Sequence, residues 1–275
     1  MADTNKKTRL DQLIFDKGLS PSRERAKTTI MSGLVFVNGQ RADKPGMMVP
    51  RNASIEVRGD PLPYVSRGGL KLEKALKVFP VDVAGKICID CGASTGGFTD
   101  VLLQSGAKKV YAVDVGYGQL AWKLRNDERV VNLERTNLRY ITRELVPEQP
   151  EIAVMDVAFI SVRLVLLPVA ALLHDGADII CLIKPQFEAG REEVGKKGVV
   201  KDAKIHCDVI RSVLSFASDS SLSVRGLDFS PVKGPEGNIE FISHLKKSDE
   251  SNADIDIESV VLEAHSKLSA EGDRL

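Results

Sequence analysis

The residues best suited to chemistry begin at Asp90. The run Asp90-Cys91-Gly92-Ala93-Ser94-Thr95-Gly96-Gly97-Phe98 follows an apolar, strand-like segment and opens a helix-like one. Glycines there permit a tight turn and close approach of a ligand to backbone. A second apolar segment, KKVYAVDVG, brings in Asp114, 24 residues after Asp90. A carboxylate at that place can accept both hydroxyl hydrogens of a ribose. The glycines do not spell the GxGxxG dinucleotide fingerprint, and no GxxxxGK[ST] phosphate loop occurs. A negative Asp90 beside the turn suits a cationic ligand with an amino-acid tail, such as S-adenosylmethionine, better than a pyrophosphate. The same turn could also be an ordinary strand-to-helix connection that binds nothing.

Lys184 is the second chemically suggestive residue. It follows the apolar stretch ADIICLI and precedes Pro185, which suits a side chain presented at the active edge of a sheet. A lysine can act as a base where burial or a neighbouring cation lowers its pKa, whereas a neighbouring carboxylate opposes that. Lysines at element ends are also commonly just solvated. The loop that follows, FEAGREEVGKKGVVKD, is charged and glycine-bearing, and reads either as a flap over substrate or as a surface loop.

These groups need a scaffold. From residue 84 the pattern alternates between strand-like and helix-like segments, which implies a parallel sheet covered on both faces, an α/β domain. The strand-like segments include KICIDC, KKVYAVDVG, VVNLERTN, EIAVMDVAFI, ADIICLIKPQF, LSVRGLDFSPV and GNIEFISHLKK. VLLPVAALLHDG and AKIHCDVIRSVLSFASDS read as helices between them. In YVSRGGLKLEKALKVF the double glycine reads as a turn, with a helix carrying Leu72, Ala75, Leu76 and Phe79 on one face. Ligands of such sheets sit beyond the C-terminal strand ends.

Residues 9 to 58 form a separate module. Leu10, Leu13 and Ile14 have helical spacing and Gly18 stops the helix. Ser20 is the expected N-cap of a second helix with Pro21 next to it, closed by Gly33. Three short strands with turns follow. GDPLP, at 59 to 63, reads as a linker. The last residues, ESNADIDIESVVLEAHSKLSAEGDRL, are acidic, with a helical pattern in VVLEAHSKL.

The chain's 38 basic and 38 acidic residues cancel, but unevenly. Residues 1 to 79 hold 15 Lys or Arg against 8 Asp or Glu, and residues 246 to 275 hold 4 against 8. A basic front end points to a nucleic-acid or phosphate surface, or to a merely solvated face. MADTNKKTRLDQ has no apolar core of a secretory signal, and Leu164 to Leu173 is too short to cross a bilayer, so a cytoplasmic protein without membrane contact is expected. Cys88 and Cys91 have CxxC spacing, but no second pair accompanies them, and the histidines at 174, 206, 244 and 265 are scattered. No metal site is expected.

Two resemblances sharpen this reading. The basic module, from Arg9 through SRERAKTTIMSGLVFVNG to Ile55, resembles the S4 RNA-binding domain. DCGASTGGFTDVLLQSGA resembles the cofactor motif of FtsJ-like ribose 2′-O-methyltransferases. With YVSRGGLKL between them, the chain from about residue 7 to about residue 245 resembles the TlyA-type family, whose members carry both ribosomal RNA methyltransferase and hemolysin labels. The resemblance implies a Rossmann-like S-adenosylmethionine-dependent methyltransferase domain behind a small α+β S4 domain. Boundaries follow: 7–59 for the S4-like domain, 60–64 for a linker, 65–247 for the methyltransferase domain and 248–275 for an acidic, partly helical extension.

Residue roles follow from the same resemblance. Lys71, Asp156, Lys184 and Glu240 match a catalytic Lys-Asp-Lys-Glu constellation, with Lys184 as the base that takes the 2′-hydroxyl proton. Asp90, Gly92, Ser94, Gly96, Gly97, Phe98, Asp114 and Asp156 match the cofactor site. Arg9, Arg23, Arg25, Lys27, Arg41 and Arg67, with Arg191, Lys196 and Lys197 of the charged loop, are the expected RNA contacts. The implied substrate is a cytidine ribose in ribosomal RNA, the implied partner a ribosomal subunit, and no obligate protein partner is expected. A ribosome-binding factor without catalysis, and a membrane-active hemolysin, are the rival readings.

Overall fold

The computed structural model describes residues 7–20, 22–58 and 62–270. The chain divides between Arg67 and Gly68 into two compact units.

The first unit contains β1 (Lys7–Arg9), α1 (Leu10–Asp16), α2 (Arg23–Met31), β2 (Val35–Val37), β3 (Gln40–Ala42), β4 (Met48–Pro50) and β5 (Ile55–Val57). β1 pairs with β4, and β2 lies between β3 and β5, all antiparallel. Leu10, Leu13 and Ile14 of α1 are buried against Ala26 and Ile30 of α2 and Val35 and Val37 of β2. Asn38 and Gly39 both have positive φ, as a two-residue hairpin turn between β2 and β3 requires. The second helix starts later than the sequence suggested: its N-cap is Ser22, whose hydroxyl accepts the Arg25 N–H at 3.1 Å. Ser20 instead donates to the Ser22 carbonyl, and the expectation at Pro21 lies outside the described residues.

The second unit contains α3 (Gly68–Val78), β6 (Ile87–Cys91), α4 (Gly97–Gln104), β7 (Lys109–Val113), α5 (Trp122–Arg125), β8 (Val130–Leu133), β9 (Ile152–Met155), α6 (Arg163–Ala170), β10 (Asp178–Ile183), α7 (Pro185–Glu188), α8 (Ala203–Ser218), β11 (Ser223–Phe229), β12 (Phe241–Lys246) and α9 (Ile257–Ala270). Seven strands form one sheet in the order β11-β12-β10-β9-β6-β7-β8. Gly68 and Gly69 belong to α3 itself rather than to a turn before it.

The sheet is mixed, not parallel throughout: β12 runs antiparallel to both β10 and β11. Only 11 residues and no α-helix separate β11 from β12, too little for a parallel crossover. The remaining pairings, β10·β9, β9·β6, β6·β7 and β7·β8, are parallel. Alternation along β6 sends Ile89 and Cys91 into the core shared with α6, α8 and α9, and Asp90 to the other face, where Thr99 of α4 holds it. The strand order reverses at β6, between β7 and β9, where doubly wound sheets open a crevice. Reversal of β12 brings its first residue, Phe241, opposite Ile183, so the start of β12 shares an edge with the ends of β9 and β10.

The helical pattern at the chain's acidic end is realised as α9, which buries Val261, Ala264 and Leu268 against the core. All four cysteines are buried and unpaired. Among the described residues, no helix is long and apolar enough to cross a membrane, and no group of three metal-ligating side chains converges.

Candidate active site

Four polar side chains from four separate segments meet at this edge. Lys71 comes from the first turn of α3, Asp156 follows β9, Lys184 follows β10, and Glu240 precedes β12. The Lys71 ammonium lies 2.6 Å from Glu240 Oε2 and 3.2 Å from Asp156 Oδ2. Lys184 Nζ lies 2.5 Å from Asp156 Oδ1. Lys71, Lys184 and Glu240 are all buried.

Local structure accounts for the placement. Pro185 occupies the first turn of α7, so the chain turns sharply at Lys184 and leaves its side chain at the sheet edge. Gly234 makes room for Glu240: a Cβ there would fall 2.2 Å from Glu240 Oε1. Asn238 fixes the same approach by accepting the Val200 N–H and donating to the Gly198 carbonyl, which ties the charged loop to the start of β12.

The electrostatics are those of a closed ionic cluster, two cations and two anions. Burial alone would lower the Lys71 pKa, but the carboxylates of Asp156 and Glu240 outweigh it and hold the ammonium above its ordinary value. Burial would likewise raise Asp156, and Lys71 with Lys184 reverse that and keep its carboxyl below the usual range.

Beside the cluster lies a cleft of about 280 Å³ lined by Gly92, Ser94, Asp114, Gln119, Asn137 and Asp156, with Val115, Leu138, Val157, Ile160 and Val165 as its apolar wall. Gly92 must be glycine twice over, since its φ is +89° and a Cβ would sit 2.8 Å from the Asp156 carbonyl oxygen. Asp114 accepts the Ser94 N–H at 2.7 Å on Oδ2 and the Gly116 N–H at 2.6 Å on Oδ1. That fixes its carboxylate at the rim, where each oxygen keeps further acceptor capacity. Two carboxylates and an apolar wall fit a cationic nucleoside, and they repel a pyrophosphate.

Of the predicted cofactor residues, Gly92, Ser94, Asp114 and Asp156 line this cleft, and Asp90, Gly96, Gly97 and Phe98 stand behind it. Asp90 and Phe98 are buried. Gly96 packs under Leu120 and Leu124, whose methyls would clash with a Cβ. Among the expected RNA contacts, Arg9 and Arg23 both reach the buried carboxylate of Asp11, Arg25 donates to the Leu62 carbonyl, and Lys27 pairs with Glu24. Both Asp11-bound guanidiniums stay nearly half exposed. Arg41, Arg67, Arg191, Lys196 and Lys197 are exposed.

Phe159 carries no sequence signal and was missed. It is 92% exposed and has a φ of +63°, a strained conformation for a bulky side chain. It lines the cleft and, with Phe187, an adjoining open pocket that also includes Gln186 and Arg191; the two phenyl rings are 5.3 Å apart. Glu188 of α7 ties the segment that begins α6 to α7. Its carboxylate accepts the Ser161 hydroxyl at 2.7 Å and the Val162 N–H at 2.6 Å, and meets Arg163 at 3.4 Å.

Comparison with known proteins places these features in a family. The FtsJ-like methyltransferase model matches residues 64–247 and the S4 domain model residues 8–55. YqxC of Bacillus subtilis (strain 168), which carries an rRNA methyltransferase name, is 55% identical over 271 residues, 96% of each chain. The 16S/23S rRNA (cytidine-2′-O)-methyltransferase TlyA of Mycobacterium tuberculosis is 43% identical over 242 residues, 88% of this chain and 90% of that one. Among solved structures, a Streptococcus thermophilus protein bearing a hemolysin name superimposes with a TM-score of 0.79 at 49% identity, covering 98% of this chain and 99% of that one.

Proposed function

The chain belongs to the FtsJ-like methyltransferases, in the TlyA-type branch that carries an S4 domain, and from that premise we propose that it methylates a ribose 2′-oxygen of ribosomal RNA with S-adenosylmethionine. The observation that carries the reading is the buried Lys71–Asp156–Lys184–Glu240 cluster beside a cleft with two carboxylates. The names of its relatives favour a cytidine ribose, in either ribosomal subunit. Residues 7–59 act as the RNA-binding module, joined through 60–64 to the catalytic domain at 65–247.

Gly92, Ser94, Asp114 and Asp156 would hold the cofactor, which supplies a methyl group activated by its sulfonium. The chain must bring the 2′-hydroxyl in line with that methyl and take up the hydroxyl proton. Lys71 meets two carboxylates and stays a fixed cation. Lys184 meets one carboxylate oxygen, and we assign the proton to its Nζ, which acts as base in the neutral amine form, after giving its own proton to solvent. Glu240 and Lys71 flank the ribose, and Asp156 orients Lys184 from the cofactor side. Phe159 offers its open ring face to the base of the acceptor nucleotide, as single-stranded or flipped-out bases require. The basic residues of the first unit, with Arg191, Lys196 and Lys197, contact phosphates, which positions the RNA without reading its sequence.

The test is methyl transfer from isotopically labelled S-adenosylmethionine to unmodified ribosomal subunits, followed by mapping of the labelled nucleotide. Label on one or two ribose 2′-oxygens, lost in Lys184→Ala, is expected. Cofactor binding without transfer to either subunit would overturn the reading.

A further inference from the structure

Asp90 is a buried acid that this mechanism leaves unused. It lies near the end of β6, two residues before Gly92 of the cleft, and is 1% exposed. Its Oδ2 accepts both the backbone N–H of Thr99, at 2.9 Å, and the Thr99 hydroxyl, at 2.6 Å. Its Oδ1 is buried and has no hydrogen-bond partner.

Of the groups that face Asp90, only Thr99 favours a charge on it, through its two hydrogen bonds. Asp114 directly follows the strand on one side and Asp156 the strand on the other, and both carboxylates repel it. On its own strand stand the buried thiols Cys88 and Cys91, whose pKa values are pushed up mainly by burial. From α4 comes neutral Thr99, and the next acid, Asp100, is held by Lys123 at 2.9 Å. The nearby cations Lys71 and Lys184 are engaged by Asp156. Burial first, and then the two carboxylates, outweigh the Thr99 hydrogen bonds and push the Asp90 carboxyl up to about 7.

We propose that Asp90 is the residue by which the site distinguishes cofactor from product, holding a proton in the ligand-free protein and releasing it when a ligand of net positive charge occupies the cleft. The inference rests on the reading of that cleft as the S-adenosylmethionine site. S-adenosylmethionine carries a sulfonium, an ammonium and a carboxylate, a net charge of +1. S-adenosylhomocysteine has lost the sulfonium charge and is net neutral. The cation favours the ionised carboxylate, so its binding sends the Asp90 proton to solvent. Once the methyl group has left, that compensation is gone and Asp90 takes a proton back from solvent. By linkage, cofactor affinity rises with pH through the Asp90 pKa, whereas product affinity does not follow it.

Isothermal titration calorimetry of the full chain at pH 7 tests this, in three buffers of different ionisation enthalpy. Expected is release of about half a proton per S-adenosylmethionine, and much less per S-adenosylhomocysteine, from a group half ionised near pH 7. In Asp90→Asn this release is absent. Any proton exchanged by the ligand's own amino group persists in the variant, so the difference belongs to Asp90. Should Asp90→Asn fail to fold, the native protein still decides: the preference for cofactor over product should grow about tenfold from pH 6 to pH 8. A pH-independent preference, or the same proton release in Asp90→Asn, overturns the proposal and leaves the methyltransferase reading intact. Absence of any S-adenosylmethionine binding overturns that reading and this inference with it.

Discussion

Oδ1 of Asp156 and Nζ of Lys184 stand 2.5 Å apart at the ends of two neighbouring parallel strands. The other oxygen of Asp156 faces Lys71, which in turn holds Glu240. One carboxylate therefore sets the positions of both lysines. The two lysines differ in how many carboxylates they meet, and the proposed division between a fixed cation and a proton acceptor rests on that difference.

Lys184→Ala should lower the single-turnover rate of methyl transfer by roughly 10²- to 10⁴-fold, the usual range for a lost general base. S-adenosylmethionine should still bind within about threefold of its native affinity, because the apolar wall and Asp114 are untouched. A rate within tenfold of native would remove Lys184 from the role of base.

Lys71 and Glu240 can be separated from catalysis by stability. Lys71→Met leaves the Glu240 carboxylate buried without its cation and should cost about 3–5 kcal/mol in urea unfolding. Lys71→Met with Glu240→Leu removes both charges and should recover most of that loss, with Asp156 still paired to Lys184. Methyl transfer should remain abolished in the double variant. Recovery of activity together with stability would mean that the pair is structural only.

Phe159→Gly should separate stability from activity in the opposite direction. The native φ of +63° is cheap for glycine, and the exposed ring loses little packing, so the melting temperature should hold or rise. Loss of a stacked base is worth about 1–3 kcal/mol, so the KM for RNA should rise by roughly 5- to 150-fold while cofactor affinity changes little. An unchanged KM would exclude the ring as the base platform.

Local signals made part of this site readable. The Asp90–Phe98 turn and Asp114 are set by nearby glycines and by one βαβ repeat, so spacing alone suggested a nucleoside cleft. Which of those residues line it was not readable, because period-2 alternation turns Asp90 to the face away from Cys91. Lys71 and Glu240 are 169 residues apart, and only resemblance to a family paired them. The direction of β12 depends on a connection too short for a crossover, a signal present in the sequence but masked by the surrounding βα alternation. Phe159 sits in the apolar run VAFI without any period to mark it, and its exposure comes from backbone strain after β9.

The histidine pair His206 and His265 predicts how the C-terminal helix responds to acid. His206 of α8 is fully buried, contacts the Val200 carbonyl through Nε2 at 3.1 Å and has Nδ1 2.9 Å from His265 Nε2 of α9. Burial and the neighbouring His265 lower its pKa to about 4, and burial lowers His265 as well. Unfolded histidine titrates near 6.5, so between about pH 6.5 and 4 the unfolded chain binds more protons than the folded one. Stability is therefore fully present above about pH 6.5 and falls as the pH drops toward 4, with His206 contributing on the order of 2–3 kcal/mol across that window. Urea unfolding at pH 7.5, 6 and 5 should show the decline, and His206→Gln should flatten it even if that variant is weaker at pH 7.5. Hydrogen exchange should report loss of protection in α9 before the central strands, since protonating His206 replaces the acceptor that its Nδ1 offers to His265 with a second N–H. An equal decline in His206→Gln would assign the acid sensitivity to the carboxylates of the ion pairs instead.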